Sequence, residues 1–388
     1  MFGTRRHATI AARAHCIEDL RQEARRYLPR VMFDFFDGGA EEEQTLSANR
    51  QAFKETYLRP RVLNNVERVN TEIDLLGLPA RFPICIAPTG GVGYGRRGGD
   101  IAIAKAAARF GIPYTLSTSA TASIEQVAEA APGRLWFQAY ILKDQAFLHK
   151  LIERARVAEY EALMITVDLP VGGKRERDLR NGFRAPFKLT PQVAWDGIQH
   201  PRWAAVVAMR GFPFTENLRG LDRAAPTAAN AASAVGRNYD PTFDWDRLRQ
   251  LRDLWPRKLV VKGVMCADDA QRLAGMGCDA IIVSNHGGRQ LDGAMATFRA
   301  FPEVLRGADG RIPVLVDGGV RRGVDVLKAC AAGARGVLIG RATLFGAMAA
   351  GQAGAERALE ILTDELARSM RLCGVADVAH ATADLIGS

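Results

Sequence analysis

The chain has 388 residues, of which 48% are hydrophobic and 24% are charged, a balance that excludes a disordered protein and leaves ample apolar material for a core. The formal charge of +9 is compatible with nucleic acid, an anionic membrane or small anions as partners. Since the basic residues are spread along the chain and form no nucleic-acid-binding motif, we expect no nucleic-acid partner. Without a membrane-spanning apolar run or a signal peptide, we expect a cytoplasmic protein.

Six cysteines are scattered along the chain without CxxC or CxxH spacing: Cys16, Cys85, Cys266, Cys278, Cys330 and Cys373. This pattern fits neither a zinc site nor a disulfide framework. We therefore predict reduced, mostly buried thiols and no bound metal.

The first part of the chain shows helical periodicity, for example over Ile17–Tyr27 and Glu42–Phe53, and we predict helices that cap a barrel. Beyond it, short β-branched runs alternate with longer amphipathic or alanine-rich segments such as Asp100–Phe110. For that helix we predict Asp100 as N-cap and Gly111 as C-cap. The alternation is typical of repeated βα units.

Eight apolar runs are predicted strands: Phe82–Ala87, Ile112–Ser117, Leu135–Tyr140, Ala162–Asp168, Lys258–Gly263, Ala280–Asn285, Ile312–Asp317 and Gly336–Gly340. Most are almost continuously apolar, as strands buried on both faces of a parallel sheet are. The count favours a closed TIM (β/α)₈ barrel over an open doubly wound sheet, and we treat 1–388 as one domain. The connection after the fourth strand, 177–242, is far longer than an ordinary loop and predicts function, mobility or both.

Polar residues or glycines follow every predicted strand, where barrel enzymes carry their chemistry. In strand order these residues are Pro88, Thr89 and Gly90; Ser117; Gln138 and Tyr140; Thr166 and Asp168; Lys262; His286 and Arg289; Asp317, Gly318, Gly319, Val320 and Arg321; and Gly340 and Arg341. The last two strand ends combine glycines with arginines and predict a phosphate site. Lys262, after an apolar strand, needs a permanent anionic partner or a cofactor.

His286 and Arg289 stand three residues apart on one predicted loop. Histidine suits proton abstraction near neutral pH, and arginine can grip a carboxylate with two hydrogen bonds. Asp168 is the candidate to orient the imidazole and to stabilise its charged form. A satisfied core histidine is the alternative, but it leaves the neighbouring polar strand ends unexplained.

Gly93, Gly95 and Gly98 form a GxGxxG pattern between a strand and a helix, as in dinucleotide-binding folds. The next strand ends in Ser117 and Thr118 rather than in an acidic residue that could hold a ribose. We therefore favour a flexible loop over the mouth of the site.

The motif SNHGGRQLDG at 284–293 resembles the FMN-dependent α-hydroxy-acid dehydrogenase and oxidase family, which includes glycolate oxidase, L-lactate dehydrogenase and mandelate dehydrogenase. Further resemblance lies in LPRVMFDFFDGGAEEEQTL, APTG, WFQAY, TVD, VVKG, DGGVRRG and IGRA, so it covers nearly the whole chain. RERDLRNGF, HPRW and LRDLWPRKLVVKG are most similar to mandelate dehydrogenases.

The resemblance implies an FMN cofactor, held by Pro88, Thr89, Gly90, Ser117, Gln138, Thr166 and Lys262, with its phosphate at Asp317, Gly318, Gly319, Val320, Arg321, Gly340 and Arg341. It implies that Arg289 and Tyr140 bind the substrate, that Arg175 lies over the site, and that His286 takes a proton as an (S)-2-hydroxy acid becomes a 2-oxo acid. Lys262 would lie beside the flavin N1/O2 edge.

Two positions depart from the family pattern. Phe35 replaces a tyrosine that donates to the substrate carboxylate in most members, and Ser119 replaces a tryptophan of several oxidases. Together they favour a bulky or apolar substrate, such as mandelate. Gly90, where several oxidases have alanine, favours a dehydrogenase that reduces a quinone or another acceptor; an oxygen-using oxidase and an inactive flavin-binding scaffold are the alternatives.

The insertion 177–242 interleaves aromatic residues with arginines and has few acids, as an interfacial membrane segment does. In mandelate dehydrogenase the corresponding segment attaches the enzyme to the membrane, so we expect peripheral contact with the inner face of the cell membrane or, alternatively, a mobile lid. The resemblance also implies a homotetramer.

Overall fold

The computed structural model describes residues 2–182, 191–221 and 238–387. Eight parallel strands close into a barrel. They are β1 (Ile84–Ile86), β2 (Tyr114–Ser117), β3 (Leu135–Tyr140), β4 (Ala162–Thr166), β5 (Lys258–Val264), β6 (Ala280–Val283), β7 (Val314–Asp317) and β8 (Val337–Ile339). Neighbours in sequence are neighbours in the barrel, and β8 pairs with β1. The eight predicted strands and the TIM barrel are confirmed.

The strands are almost wholly buried because helices surround them. Every residue of β1, β2, β4, β6, β7 and β8 is buried, which explains why they appear in the sequence as unbroken apolar runs. The helices between the strands are Val92–Gly95, Gly99–Phe110, Ile124–Ala130, Gln145–Val157, Trp245–Leu254, Ala267–Gly275, Thr297–Ala308 and Gly323–Ala331.

One predicted helix cap is wrong. Gly98, with φ +75°, is the N-cap of Gly99–Phe110, and Asp100 lies inside the first turn. Its buried carboxylate turns away from the helix start and accepts a hydrogen bond from the Thr121 backbone at 3.1 Å. Gly111, with φ +64°, ends the helix as predicted.

Four helices precede the barrel: Phe2–Arg13, Ile17–Tyr27, Arg30–Asp37 and Gln44–Glu55. The first two pack against the C-terminal helix Arg341–Leu372, which is broken at Ala350 and Gly351. The last packs against Thr297–Ala308 and lies over the β6 loop.

Three shorter pieces complete the fold. The strands Ile73–Leu75 and Leu78–Ala80 form a hairpin. Arg134, just before β3, donates to the carbonyls of Pro79 and Leu75, which places this hairpin at the N-terminal end of the barrel. The strands Tyr57–Leu58 and Ile386–Gly387 pair antiparallel. The six cysteines are free and four of them are buried, as predicted.

The insertion after β4 is described except for 183–190 and 222–237. The following aromatic and basic residues of the predicted interfacial pattern therefore lie outside the described residues: Phe183, Arg184, Phe187, Lys188 and Arg223. Its helices are Glu176–Arg180, Pro191–Gln199 and Pro201–Arg210, followed by a short 3₁₀ turn, Glu216–Leu218. Trp203 is buried and donates its indole N–H to the Tyr94 carbonyl at 2.9 Å. Asn217 is also buried, accepting from the Ile124 backbone and donating to the Ala122 carbonyl. This part of the insertion packs on the barrel.

Candidate active site

A cavity of about 620 Å³ opens at the carboxyl ends of the strands. Most of the predicted site residues line it: Phe35, Pro88, Thr89, Gly90, Tyr140, Arg175, Lys262, His286, Arg289, Asp317, Gly318, Gly319, Val320, Arg321, Gly340 and Arg341. Ser117, Gln138, Thr166 and Asp168 are not among the lining residues. The structure therefore brings residues from all parts of the chain to one place.

The β6 loop places His286 beside Asp168. His286 has φ +59°, and Gly287 and Gly288 follow with φ +64° and +74°, so the chain makes a left-handed turn that histidine tolerates better than a β-branched residue. The imidazole Nδ1 lies 3.0 Å from Asp168 Oδ1. On the other side of the ring, Nε2 lies 3.5 Å from the Tyr140 hydroxyl.

The helix Gln44–Glu55 fixes this loop from above. Asn49 and Asn285 exchange two buried side-chain hydrogen bonds of 2.8 and 2.9 Å. Asp292, at the end of the loop, accepts from the backbone of Gln44 and Thr45 and so satisfies the free N–H groups at the start of the helix. Helix and loop therefore position each other.

A β-bulge brings Asp168 close to the barrel. The pairing of β5 with β6 shifts register between Lys262 and Val264, and Gly263 has φ +112°. A Cβ at Gly263 would lie 2.7 Å from Asp168 Cβ, so the position requires glycine. Burial acts to raise the pKa of Asp168, but the nearby His286 and Lys262 charges lower it below its ordinary value. Asp168 is therefore ionised.

Lys262 has the permanent partner that its burial demands. Its ammonium lies 3.0 Å from Asp317 Oδ2 and donates to Ser284 Oγ at 2.6 Å. Burial would lower the pKa of Lys262, yet Asp317 and Asp168 raise it, so the group is charged. Since the Asp317 carboxylate is engaged here and would repel a phosphate, only its main chain can belong to the predicted phosphate loop.

Arg289 has no carboxylate partner among the residues with described side chains. It donates to the Gly38 carbonyl at 2.8 Å. Burial, together with the neighbouring Arg175 and Arg341, lowers its pKa to about 9. Arg175 also borders the cavity, held by Asp178 at 2.7 Å. The guanidinium carbons of Arg289 and Arg175 lie 5.4 and 5.7 Å from the centre of the Phe35 ring.

The β7 and β8 ends form a basic, glycine-lined pocket. Arg341 donates to the carbonyls of Gly287 and Gly38 at 3.0 and 2.8 Å, and Arg321 donates to the Val320 carbonyl at 2.8 Å. Burial lowers the pKa of each arginine to about 10. Gly319, with φ +92°, has no room for a Cβ, which would lie 2.2 Å from the Asn49 carbonyl oxygen. Uncompensated guanidiniums beside open backbone suit a phosphate.

The polar groups between these two ends fit a flavin. Gln138 Nε2 and Thr166 Oγ1 are buried and have no hydrogen-bond partner within the described part of the chain. Buried donors of this kind are normally satisfied, so they indicate a ligand with polar edges. The phosphate pocket, these orphaned groups and the volume of the cavity together fit FMN.

Several lining residues were not predicted from the sequence. Tyr94, Phe212, Thr215, Asp178 and Tyr239 border the cavity, and the rings of Tyr239 and Tyr140 meet edge to face at 5.3 Å. Tyr94 lies within the GxGxxG segment and Asp178 within RERDLRNGF, but neither pattern indicates that the side chain borders the cavity, and only the packing of the insertion onto the barrel reveals Phe212 and Thr215.

The GxGxxG segment forms a buried helical turn, Val92–Gly95, so the expectation of a loop there is wrong. A Cβ at Gly93 would lie 2.3 Å from Thr121 Oγ1, and one at Gly95 would lie 2.3 Å from Met348 Sδ. These glycines permit close packing rather than nucleotide binding.

Comparison with known proteins decides the family. Residues 24–388 match the FMN-dependent dehydrogenase model. The chain belongs to this family. A putative L-lactate dehydrogenase of Mycobacterium tuberculosis is 42% identical over 92% of this chain and 86% of that protein, and the (S)-mandelate dehydrogenase of Pseudomonas putida is 38% identical over 95% and 93%.

Solved structures agree. A crystal structure described as the monotopic membrane protein (S)-mandelate dehydrogenase superposes with a TM-score of 0.93, at 37% identity, over 97% of this chain and 99% of the other. A mandelate oxidase structure superposes with a TM-score of 0.81. The chain is thus an FMN-dependent oxidoreductase of the 2-hydroxy-acid dehydrogenase family, and FMN is its cofactor.

Proposed function

We propose that the enzyme oxidises (S)-2-hydroxy acids with a bulky, mandelate-like side chain to 2-oxo acids, with His286 as the base. The observation that carries this proposal is the placement of His286 in one cavity with Arg289, a half-buried cation without a carboxylate partner among the described side chains, and with the ionised Asp168 behind it. FMN would be held by the predicted strand-end residues and would accept the electrons of the substrate.

The hydrogen bond to Asp168 decides which nitrogen of His286 acts. Because Asp168 is ionised and can only accept, His286 Nδ1 carries the proton and Nε2 has the free lone pair. Nε2 faces the Tyr140 hydroxyl. The substrate hydroxyl would lie within hydrogen-bonding distance of both the Tyr140 hydroxyl and His286 Nε2, and would lose its proton to Nε2. Asp168 stabilises the imidazolium that results.

Two arginines would bind the substrate carboxylate. Arg289 has free donors and no carboxylate partner among the described side chains, so an incoming carboxylate supplies the missing counter-ion. Arg175, which is tied to Asp178, adds positive charge nearby and likewise lies against the Phe35 ring. The pKa of Tyr140 is raised to about 12, chiefly by burial, so its hydroxyl is protonated and can donate a hydrogen bond.

Anaerobic reduction of the bound flavin tests the activity. We expect the purified protein to release FMN on denaturation and (S)-mandelate to bleach the flavin, whereas (R)-mandelate and glycolate should bleach it poorly. An inactive scaffold would not be bleached by any 2-hydroxy acid. Rapid reoxidation by air, rather than by a quinone, would identify an oxidase.

We also propose that the insertion docks on the membrane, close to a quinone acceptor. Trp195, Ile198 and Met209 are 63%, 67% and 74% exposed on two of its described helices, Pro191–Gln199 and Pro201–Arg210, and large exposed apolar side chains near arginines suit an interfacial segment. No helix in the described ranges is long and apolar enough to cross a membrane. Contact would therefore be peripheral, at the cytoplasmic face.

Vesicle sedimentation at low salt tests this docking. Replacing Trp195, Ile198 and Met209 by serine should abolish binding to anionic vesicles and leave flavin reduction by mandelate unchanged. Val157 and Leu372, which are 66% and 71% exposed on other helices, supply the matched serine control. If the intact protein never binds, or both variants bind equally, the insertion is only a lid. The homotetramer remains a prediction, which light scattering of the purified protein would test.

A further inference from the structure

The cavity has a second polar region besides the charged groups. Tyr94, Ser119, Phe212 and Thr215 border it, and we call these four residues the distal wall. The mechanism proposed above uses none of them. Two belong to the insertion, and the other two follow β1 and β2.

The position of the distal wall follows from Phe35. A Cβ at Gly91 would lie 3.6 Å from Phe35 Cε1 and 2.8 Å from the Tyr94 ring, so both rings lie against Gly91. Arg289 and Arg175 contact the Phe35 ring. Gly90 is similarly close to Ser119. The distal wall therefore adjoins the arginines through Phe35, where the side chain of a carboxylate-bound substrate can reach.

The distal wall contains two buried hydroxyl groups with unmet hydrogen-bonding capacity. Within the described ranges, neither Tyr94 Oη nor Thr215 Oγ1 has a hydrogen-bond partner beyond this pair, although their residues are only 8% and 2% exposed. Burial raises the pKa of Tyr94 to about 12 and a hydrogen bond with the Thr215 side chain opposes the rise, so the two hydroxyls are close enough to pair with each other and Tyr94 is neutral. One polar atom placed beside them could bond to both.

Packing holds these hydroxyls in place. The Phe212 ring meets the Tyr94 ring nearly edge to face, with centroids 6.4 Å apart, and Trp203 donates to the Tyr94 carbonyl. Thr215 stands two residues before Asn217, whose hydrogen bonds tie the insertion to the barrel. The groups are thus preorganised, and a ligand would not have to order them.

We propose that the distal wall is a polar subsite that binds a hydroxyl group at the far end of the substrate side chain, so that the enzyme prefers hydroxyaryl 2-hydroxy acids over their plain aryl counterparts. The inference rests on the proposed function. Its physical reason is that two hydroxyls that bond only to each other leave one buried O–H donor unpaired, and a phenolic oxygen can accept from this donor whereas a plain aryl substrate cannot. Sites of this kind discriminate strongly against the ligand that lacks the group.

The test compares matched substrates by the rate of anaerobic flavin reduction divided by the apparent dissociation constant. The pairs are (S)-mandelate with its 3- and 4-hydroxy forms, and 3-phenyllactate with 4-hydroxyphenyllactate. We expect this quotient to be roughly tenfold or more higher for the more reactive hydroxylated form than for the plain aryl substrate. Tyr94→Phe and Thr215→Val should each bring that ratio towards one with little effect on the plain substrate, and Thr215→Ser should preserve it.

Thr115→Val is the matched control. Thr115 Oγ1 is also buried and unpartnered, but Thr115 does not line the cavity, so its loss should leave the substrate ratio unchanged. A wild-type ratio near one, or a ratio that Tyr94→Phe and Thr215→Val do not move, would overturn the subsite and leave an ordered water as the partner of the hydroxyls. Failure of every substrate to reduce the flavin would overturn the proposed function itself, and the subsite with it.

Discussion

Two ends of the cavity balance their charges in opposite ways: the proposed phosphate end, with Arg321 and Arg341, and the proposed reaction end, with Lys262 and His286. At the phosphate end, Arg321 and Arg341 hydrogen-bond only to carbonyl oxygens among the residues with described side chains. At the reaction end, Lys262 is paired with Asp317 and His286 with Asp168. The protein supplies its own counter-ions in one region and leaves them to a ligand in the other.

This difference indicates where anions bind. A buried cation without a carboxylate is costly in the absence of ligand, so Arg321 and Arg341 gain from a phosphate, and Arg289, the exception at the reaction end, gains from a carboxylate. Lys262 is already balanced, and Asp168 supplies the counter-ion that His286 needs once it takes a proton, so neither group depends on a ligand charge. Four experiments test the contrast.

The largest effect is expected for His286→Gln. The variant should keep its FMN but lose about 10²- to 10⁴-fold in the rate of flavin reduction by substrate, because the base is gone. Stopped-flow bleaching measures this loss, and reduction by dithionite, which needs no base, is the control. Near-normal bleaching by substrate would remove His286 from the role.

Lys262→Met should destabilise the fold by about 3–5 kcal/mol, because Asp317 becomes a buried unpaired charge. In Lys262→Met/Asp317→Leu the charge is gone, and most of the stability should return while flavin reduction stays slow. Urea unfolding at saturating FMN measures both variants. Equal instability of the single and double variants would show that the two residues do not compensate each other.

Arg321→Met should behave differently because Arg321 forms no ion pair with any carboxylate whose side chain the structure describes. We expect FMN affinity to fall by about 10- to 100-fold without loss of stability in the apoprotein, as measured by flavin titration and thermal unfolding. Arg96→Met is the control, since Arg96 also donates to carbonyls, those of Met348 and Ala349, but does not line the cavity. It should lower stability and leave FMN affinity unchanged.

Asp100 extends the contrast to an uncompensated carboxylate. Burial raises its pKa to about 6 from 3.8, so the folded protein binds more protons than the unfolded chain between these values. The stability that this protonation contributes is present at low pH and is lost as pH rises through about 6. Asp100→Asn should therefore gain about 1–3 kcal/mol relative to wild type between pH 4 and pH 8. A pH-independent difference in urea unfolding would contradict this account.

Much of the barrel and of the charged machinery could be predicted from the sequence. Buried parallel strands are continuous apolar runs, and their polar ends meet at one face of the barrel. The need of Lys262 for a partner followed from its apolar strand, but the choice of Asp317 depends on which strand ends face each other across the barrel. The Asp100 cap was mispredicted because a helix-start pattern does not reveal that Thr121 competes for the carboxylate.

The substrate end was less predictable for a different reason. Phe212 and Thr215 reach the cavity only because Trp203 and Asn217 dock the insertion on the barrel, and no local pattern encodes a contact between such distant segments. Tyr94 was not predicted because it lies inside the GxGxxG segment, for which we expected a flexible loop. Motifs therefore located the charged groups of the cavity, whereas tertiary packing placed Tyr94, Phe212 and Thr215 at its wall.

The anchored part of the insertion has a practical consequence for protein engineering. Removing all of 177–242 to obtain a better-behaved enzyme would take away one side of the substrate chamber along with the apolar surface. Trp195, Ile198 and Met209 lie on the helices Pro191–Gln199 and Pro201–Arg210, outside the stretch 211–221 that carries Phe212, Thr215 and Asn217. Serine substitutions at the three exposed positions would remove apolar surface and leave the cavity wall in place, whereas excision of the whole insertion would remove Phe212 and Thr215 from that wall.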